Sequence, residues 1–392
     1  ACAWPPPPQQ VLRAAPRTPP QPPRQLEPQS LLPAPLSGAR MSPTVLYRAQ
    51  RILGKGSYGV VYEATVANTT RSVAIKAVRH QMGERNFEEF ALRRLRGAPN
   101  IVTLLGTFST GFHENHRLHL VMEFIPDNLQ RIIKHHRHDG KLMDLQYVSL
   151  YTYQLMRGLA NLDRLAIVHR DLKPANLLVV SETHTLKVCD FGTSKALDIG
   201  YADNQPYICS RYYRAPELIL SAPEYGTAVD LWSAGCVLAE MLIGQPLFAG
   251  RDGVDQLAQI VGIRGTPTAD EFRAMHAGYD ASVGFPGVVP PLPWHRALGR
   301  DVGPGLVELL GLLLQYDPRR RPHPLTCMAA PVFDRLRQAA AQFDPALFDF
   351  LPEELAACTQ PAVRDRLAAA AAAAKQLQDA AASGGLAWAA YS

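Results

Sequence analysis

The chain has few of the marks of a specialised protein class. Its six cysteines (Cys2, Cys189, Cys209, Cys236, Cys327, Cys358) stand far apart, with no C-x-x-C pair among them. A chain of 392 residues, 47% hydrophobic and 19% charged, needs no disulfide staples and can bury one large or two modest cores. A reducing compartment is expected, cytoplasm and/or nucleus. Long apolar runs are also missing: "LVELLGLLLQY" from Leu306 falls well short of the roughly 18 to 20 residues of a membrane span, so no membrane partner is expected. Charge of one sign is scarce. The formal net charge is +5, and Arg13, Arg17, Arg24 and Arg40 against Glu27 concentrate most of it before Pro43. The nearly neutral remainder carries no nucleic-acid footprint. No internal repeat is evident. No Met opens the chain and no positively charged apolar leader follows, which leaves targeting open.

What is present changes texture along the chain. Residues 1–43 hold 13 of the 33 prolines, too few backbone donors and too little apolar surface to fold. This Pro-rich tail reads either as a disordered spacer or, through "PRTPPQPPR", as a ligand for proline-recognising domains. From Tyr47, "VVYEATV", "SVAIKAV", "IVTLLGTF" and "RLHLVMEF" read as strands of a small antiparallel sheet, interrupted by one helical pattern at 84–96. Beyond Asp127 the pattern is mainly helical. The expected fold is α+β and two-lobed, with an N-lobe at 44–123, a C-lobe at 127–338 and a cleft between them. Residues 339–392 form an extension whose Ala-rich helix offers no strong apolar face and reads as loosely attached.

The chemistry sits in four motifs. "GKGSYGVV" places Gly54, Gly56 and Gly59 between two strand-like runs, where backbone N–H groups can approach phosphates. A following strand argues against a dinucleotide fold, which would need a helix. "VAIK" puts Lys76 on a strand, and Glu88 follows twelve residues later on the predicted helix, with Glu89 as the alternative partner. "VHRDLKPANLL" supplies Arg170, Asp171, Lys173 and Asn176, and "KVCDFG" supplies Asp190. Phosphoryl transfer needs an acceptor for the attacking hydroxyl's proton, metal ligands on the phosphates and positive charge near the transferring group. Asp171 can orient the hydroxyl, Asn176 and Asp190 can hold Mg²⁺, and Lys173 can neutralise growing charge.

In that order and spacing the motifs resemble those of eukaryotic protein kinases. "PYICSRYYRAPELIL", "VDLWSAGCVLAEMLIGQPLFAG" and "GVDQLAQIVGIRGTPT" resemble the glycogen synthase kinase-3 branch of the CMGC group, from about Tyr47 to Leu355. The resemblance implies a serine/threonine kinase using ATP and Mg²⁺ on protein substrates. Leu53, Val61, Ala74 and Leu178 would line the adenine slot, with Met122 behind them and backbone groups of Glu123 and Ile125 at the hinge. Cys189 would be a small apolar filler. Glu217 would pair with Arg321, and Asp230 would brace the catalytic loop.

The resemblance also implies that Tyr207, on the activation segment, is a phosphorylation switch, with Arg211 and Arg214 as charges for its phosphate. The alternative is a buried ring. A pocket of three basic side chains for a phosphate on the substrate is implied too. Arg170 and Lys195 match two positions, but the third is Phe87, which weakens primed recognition unless Arg85 reaches in. "GYDASVGFP" keeps Tyr279 and Phe285 of a scaffold-docking surface, with Val283 or a neighbour replacing an aromatic. The histidines His135, His136 and His138 read as a solvated helix face more readily than as a zinc site. Two other readings stay open: a pseudokinase scaffold, which would predict damage at Lys76, Asp171, Asn176 or Asp190, and a cyclin-dependent-like enzyme.

Overall fold

A computed structural model describes residues 31–32, 45–56, 59–80, 85–111, 116–197, 210–278, 287–340 and 343–383. Period-two runs and turn glycines build the first lobe. Its strands are β1 (Leu31–Leu32), β2 (Tyr47–Gly56), β3 (Gly59–Val66), β4 (Ser72–Arg79), β5 (Leu104–Thr110) and β6 (Arg117–Glu123), all antiparallel in the order β1-β2-β3-β4-β6-β5. Register decides which side chains meet the cleft. Val61 lies opposite Lys76, Lys76 opposite Leu120, and Ala74 opposite Met122, so these five share one face. The opposite face carries Ala64, Val73, Ile75, Phe108 and Val121, which form a small core of their own.

Helix α1 (Phe87–Arg94) lies against the cleft face. It is shorter than the 84–96 pattern because Asn86 caps it, its side chain accepting from Glu89 N at 2.9 Å. Ala91, Leu92 and Leu95 bury into a core shared with the second lobe. The link after α1 ties the lobes together through main-chain bonds, Val102 N to Val188 O and Val188 N to Asn100 O, both 2.9 Å.

The second lobe is helical. After β7 (Asp127–Asn128) come α2 (Leu129–His138), α3 (Leu145–Arg164), β8 (Ile167–Val168), β9 (Leu177–Val180), β10 (Thr185–Val188) and β11 (Lys195–Ala196). Then follow α4 (Pro216–Ile219), α5 (Ala228–Ile243), α6 (Gly253–Arg264), α7 (Ala269–Met275), α8 (Trp294–Leu298), α9 (Pro304–Leu313), α10 (Pro324–Met328), α11 (Asp334–Gln338), α12 (Pro352–Ala357) and α13 (Pro361–Ser383). Helix α3 from Leu150 to Leu162 and helix α5 from Val229 to Leu242 are buried and form its centre, with Trp232 fully enclosed. Among the described residues no helix is long and apolar enough to cross a membrane.

The C-terminal extension is not the loose appendage its alanines suggested. Leu367, Ala370 and Ala374 of α13 are buried against the core, and Arg366 holds Asp334 at 2.6 Å. Small side chains let the helix approach closely, which supplies the contact that propensity alone does not. Deeper still, Arg157 of α3 makes a bidentate pair with Glu354 of α12 at 2.7 and 3.0 Å, donates to Asp349 O at 2.8 Å and lies over the Phe350 ring. Both side chains are 2% exposed or less.

Two stability outcomes follow. Glu354→Ala strands a buried guanidinium and should cost about 3–5 kcal/mol in urea unfolding, whereas exposed Lys375→Ala should change it by less than about 0.5 kcal/mol. At the start of β3, Gly59 has φ of 146° and a Cβ there would clash with Ala77 O, while a Cβ on Gly56 at the end of β2 would meet nothing within 4 Å. Gly59→Ala should lose about 1–3 kcal/mol and Gly56→Ala should unfold like the parent.

Candidate active site

The cleft gathers residues from distant parts of the chain into two clusters. The upper one is a shared charge. Lys76 Nζ stands 2.7 Å from Glu88 Oε2 and 2.7 Å from Asp190 Oδ1. Strand β4 presents the lysine, α1 the glutamate, and the turn after β10 the aspartate. Glu89, the alternative partner, instead pairs with Arg93 on the helix surface at 2.7 Å. Burial works against the Lys76 ammonium, but the two carboxylates outweigh it and hold its pKa above the ordinary lysine value. Burial likewise opposes the Asp190 carboxylate, and Lys76 outweighs that in turn, so its pKa is lowered.

The lower cluster surrounds Asp171. Lys173 Nζ donates to Oδ2 at 2.6 Å and Asn176 Nδ2 at 3.2 Å, while Ser210 donates to Oδ1 from its backbone N at 2.8 Å and its hydroxyl at 2.9 Å. Lys173 Nζ also donates to Ser210 Oγ at 2.9 Å. Four donors therefore fix the carboxylate from both sides. Sequence reasoning missed Ser210; its only signal was a hydroxyl in the segment leading into "APE".

Beneath the loop, buried Asp230 accepts from His169 N at 2.7 Å and Arg170 N at 3.0 Å. His169 contacts Cys189 O through Nε2 at 2.9 Å and packs edge-on against buried Phe191. Glu217 and Arg321 form a fully buried bidentate pair at 2.6 and 2.8 Å, with the guanidinium over the Trp232 ring. Burial, with the Asp190 charge beside it, pushes the Cys189 thiol far above its ordinary range, which suits a filler and not a nucleophile.

Above this floor the cleft face of the sheet carries Val61, Ala74 and Met122, Leu53 stands at a bulge in β2, and Leu178 is half-buried on β9 of the other lobe. The hinge between β6 and β7 supplies Glu123 and Ile125. Glu123 N donates to Thr103 O at 3.1 Å, and its side chain pairs with Lys187 at 2.8 Å. A Cβ on Gly54 or Gly56 would meet nothing within 4 Å.

Other expected site residues sit differently. Tyr207 and the stretch from Tyr279 through Val283 to Phe285 lie outside the described residues. Arg211 turns its guanidinium to the carbonyls of Gly250 and Arg251, and Arg214 is buried. Arg170 Nε donates to Thr193 O at 2.6 Å and Nη1 to the Tyr225 hydroxyl at 2.9 Å, while Lys195 pairs in register with Val168. Arg85 lies over the Phe90 ring, 5.2 Å from its centroid. His135 and His138 come within 3.7 and 3.5 Å of Asp139 at the end of α2.

A model of the protein kinase domain matches residues 47–333, the span that holds both clusters and the cleft between them. The chain belongs to the protein kinase domain family, and so to the phosphotransferases that use ATP and a divalent metal on protein substrates.

Proposed function

We propose that this kinase is specific for serine and threonine, belongs to the glycogen synthase kinase-3-like branch, and uses MgATP. One observation carries the specificity. The aliphatic hydroxyl of Ser210 reaches Asp171 at 2.9 Å with the Lys173 ammonium 2.9 Å from the same oxygen. A substrate Ser or Thr needs that contact: its proton points at a fixed carboxylate, and a cation stands beside the oxygen where charge grows.

The donor set suits Mg²⁺. Asn176 uses its amide nitrogen on Asp171, leaving its carbonyl oxygen, and Asp190 uses Oδ1 on Lys76, leaving Oδ2. These are hard oxygen ligands. When bound, the ion neutralises charge on the phosphate oxygens. Lys76, held by Glu88, orients the α- and β-phosphates, and the glycine turn covers them. In the same reading the adenine lies among Leu53, Val61, Ala74 and Leu178, and phosphorylated Tyr207 opens the substrate groove with Arg211 and Arg214 nearby. Arg170 and Lys195 offer charge to a substrate phosphate, and Phe87 makes that preference weak. Residues 44–338 are the kinase domain and 339–392 its extension.

The test supplies the purified chain with Mg²⁺ and radiolabelled ATP on matched Ser, Thr and Tyr peptides, with Asp171→Asn as control. Label should enter the Ser and Thr peptides, and Asp171→Asn should lower kcat about 10²- to 10⁴-fold. Label confined to the Tyr peptide, or rates equal to the control, would refute the assignment.

A further inference from the structure

We propose that the Glu123–Lys187 ion pair sets the adenine slot, holding its hinge edge against its floor, and that Lys187 is thereby a positioning residue for ATP. It acts through the hinge and through Leu178, not on the reacting atoms.

One carboxylate gathers three contacts where the chain crosses between the lobes. Glu123 Oε1 accepts from Thr103 N at 2.7 Å and from Lys187 Nζ at 2.8 Å, and Oε2 accepts from the same ammonium at 2.8 Å. Glu123 is the last residue of β6 and lies opposite Val73 of β4, so it belongs to the sheet of the first lobe. Both of its partners are fixed to the second lobe. Lys187 is on β10. Thr103 ends a link that the second lobe holds from several sides: Val102 N donates to Val188 O and Val188 N to Asn100 O, both at 2.9 Å, Asn100 Nδ2 donates to Gln154 Oε1 at 3.0 Å and Leu186 O at 2.8 Å, and Asn161 Nδ2 donates to Pro99 O at 3.1 Å. The Glu123 carboxylate is therefore a grip of the sheet on the other lobe.

Register connects that grip to the nucleotide. Lys187 lies directly opposite Leu178 in the β9–β10 ladder, so the two side chains share one face of the hairpin. Leu178 is the residue assigned to the slot from the second lobe, and Glu123 and Ile125 are its hinge; the inference rests on that placement of the adenine. An ammonium within 2.8 Å of both carboxylate oxygens fixes how far the hinge stands from the Leu178 face. The two side chains are 23% and 25% exposed, a pair partly withdrawn from solvent and so less screened than one at the open surface. The fold does not hang on it. Main-chain bonds at Val102 and Val188 already close the link onto β10, so loss of the Lys187 charge frees the hinge without opening the core. The loss should therefore be read in nucleotide affinity before stability.

The experiment compares the full chain with Lys187→Met, which keeps the aliphatic stem, Lys187→Arg, which keeps the charge, Glu123→Gln, which keeps an acceptor for Thr103 N, and the Glu123→Gln/Lys187→Met double variant. MgADP is titrated by calorimetry, and initial rates are taken against ATP at saturating peptide. Lys187→Met should weaken MgADP about tenfold and lower kcat/KM for ATP by a similar factor, with the loss lying in KM. Lys187→Arg should recover most of that loss, and the double variant should be no worse than the weaker single variant, because both remove one interaction. Unchanged MgADP affinity in Lys187→Met would overturn the proposal. So would a fall in kcat at unchanged KM, which would mean that the pair serves folding or chemistry, and so would additive losses in the double variant. MgADP binding needs no peptide, so a parent that labels only tyrosine would refute the serine/threonine assignment and leave this test intact. A parent that binds no MgADP would refute the adenine placement and this inference together.

Discussion

The cleft depends on one shared charge. Lys76 is buried, its side chain 7% exposed, and it is stable there only while two carboxylates stay within 2.7 Å. The penalty for desolvating an unpaired ammonium is several kcal/mol, so a rotation of α1 or a turn of the Asp190 backbone leaves a charge without compensation. Three segments are therefore placed by one cation: β4, which carries it, α1, and the turn after β10. Gly192 belongs to the same constraint. A Cβ there would sit 3.1 Å from Lys76 Nζ, 3.3 Å from Asp190 Oδ1 and 3.4 Å from Glu88 Oε2. A side chain there would press on all three charged groups at once.

Below it, order is maintained against strain. Arg170 and Asp190 are non-glycine residues with φ of 67° and 64°, conformations that cost of order 1–3 kcal/mol each unless the surroundings impose them. Asp230 imposes the first by accepting both N–H groups of His169 and Arg170. The second follows from Lys76 pulling Asp190 upward while Phe191, fully buried, packs on His169 below. Upper and lower clusters thus share the backbone of residues 189–193. A change in one is felt by the other.

Much of this was legible because it is local. The glycine turn, "VAIK", "HRDLKPAN" and "DFG" each fit within a dozen residues, and their types and spacing announce phosphate chemistry before any partner is known. Strands and long helices were readable for the same reason, from periods of two and 3.6. Partners that meet only through folding were not readable. Arg157 and Glu354 lie 197 residues apart, and nothing near either marks it as half of a buried pair. Ser210 stood among tyrosines and arginines whose chemistry is louder, and its role comes from where the segment folds back onto Asp171. Leu367, Ala370 and Ala374 recur at helical spacing, but a run of alanines hides which of them face the core.

The α1 helix shows how one residue redistributes charge across a surface. With a ring at position 87, the start of α1 has no cation of its own to offer, and Phe87 packs edge-on to Phe90 at 6.3 Å. Phe90 in turn draws Arg85 and Arg94 onto its faces at 5.2 and 5.5 Å, and cation–π contacts of this kind keep a guanidinium close to the helix. Arg93 is taken by Glu89. Positive potential that could have gathered along α1 is neutralised or pinned there. Among the described residues, Arg79 and Arg117 stand opposite each other at the ends of β4 and β6, on the sheet face away from Lys76. The aromatic pair thus holds Arg85 and Arg94 against the helix, while Glu88 turns inward and shares Lys76 with Asp190.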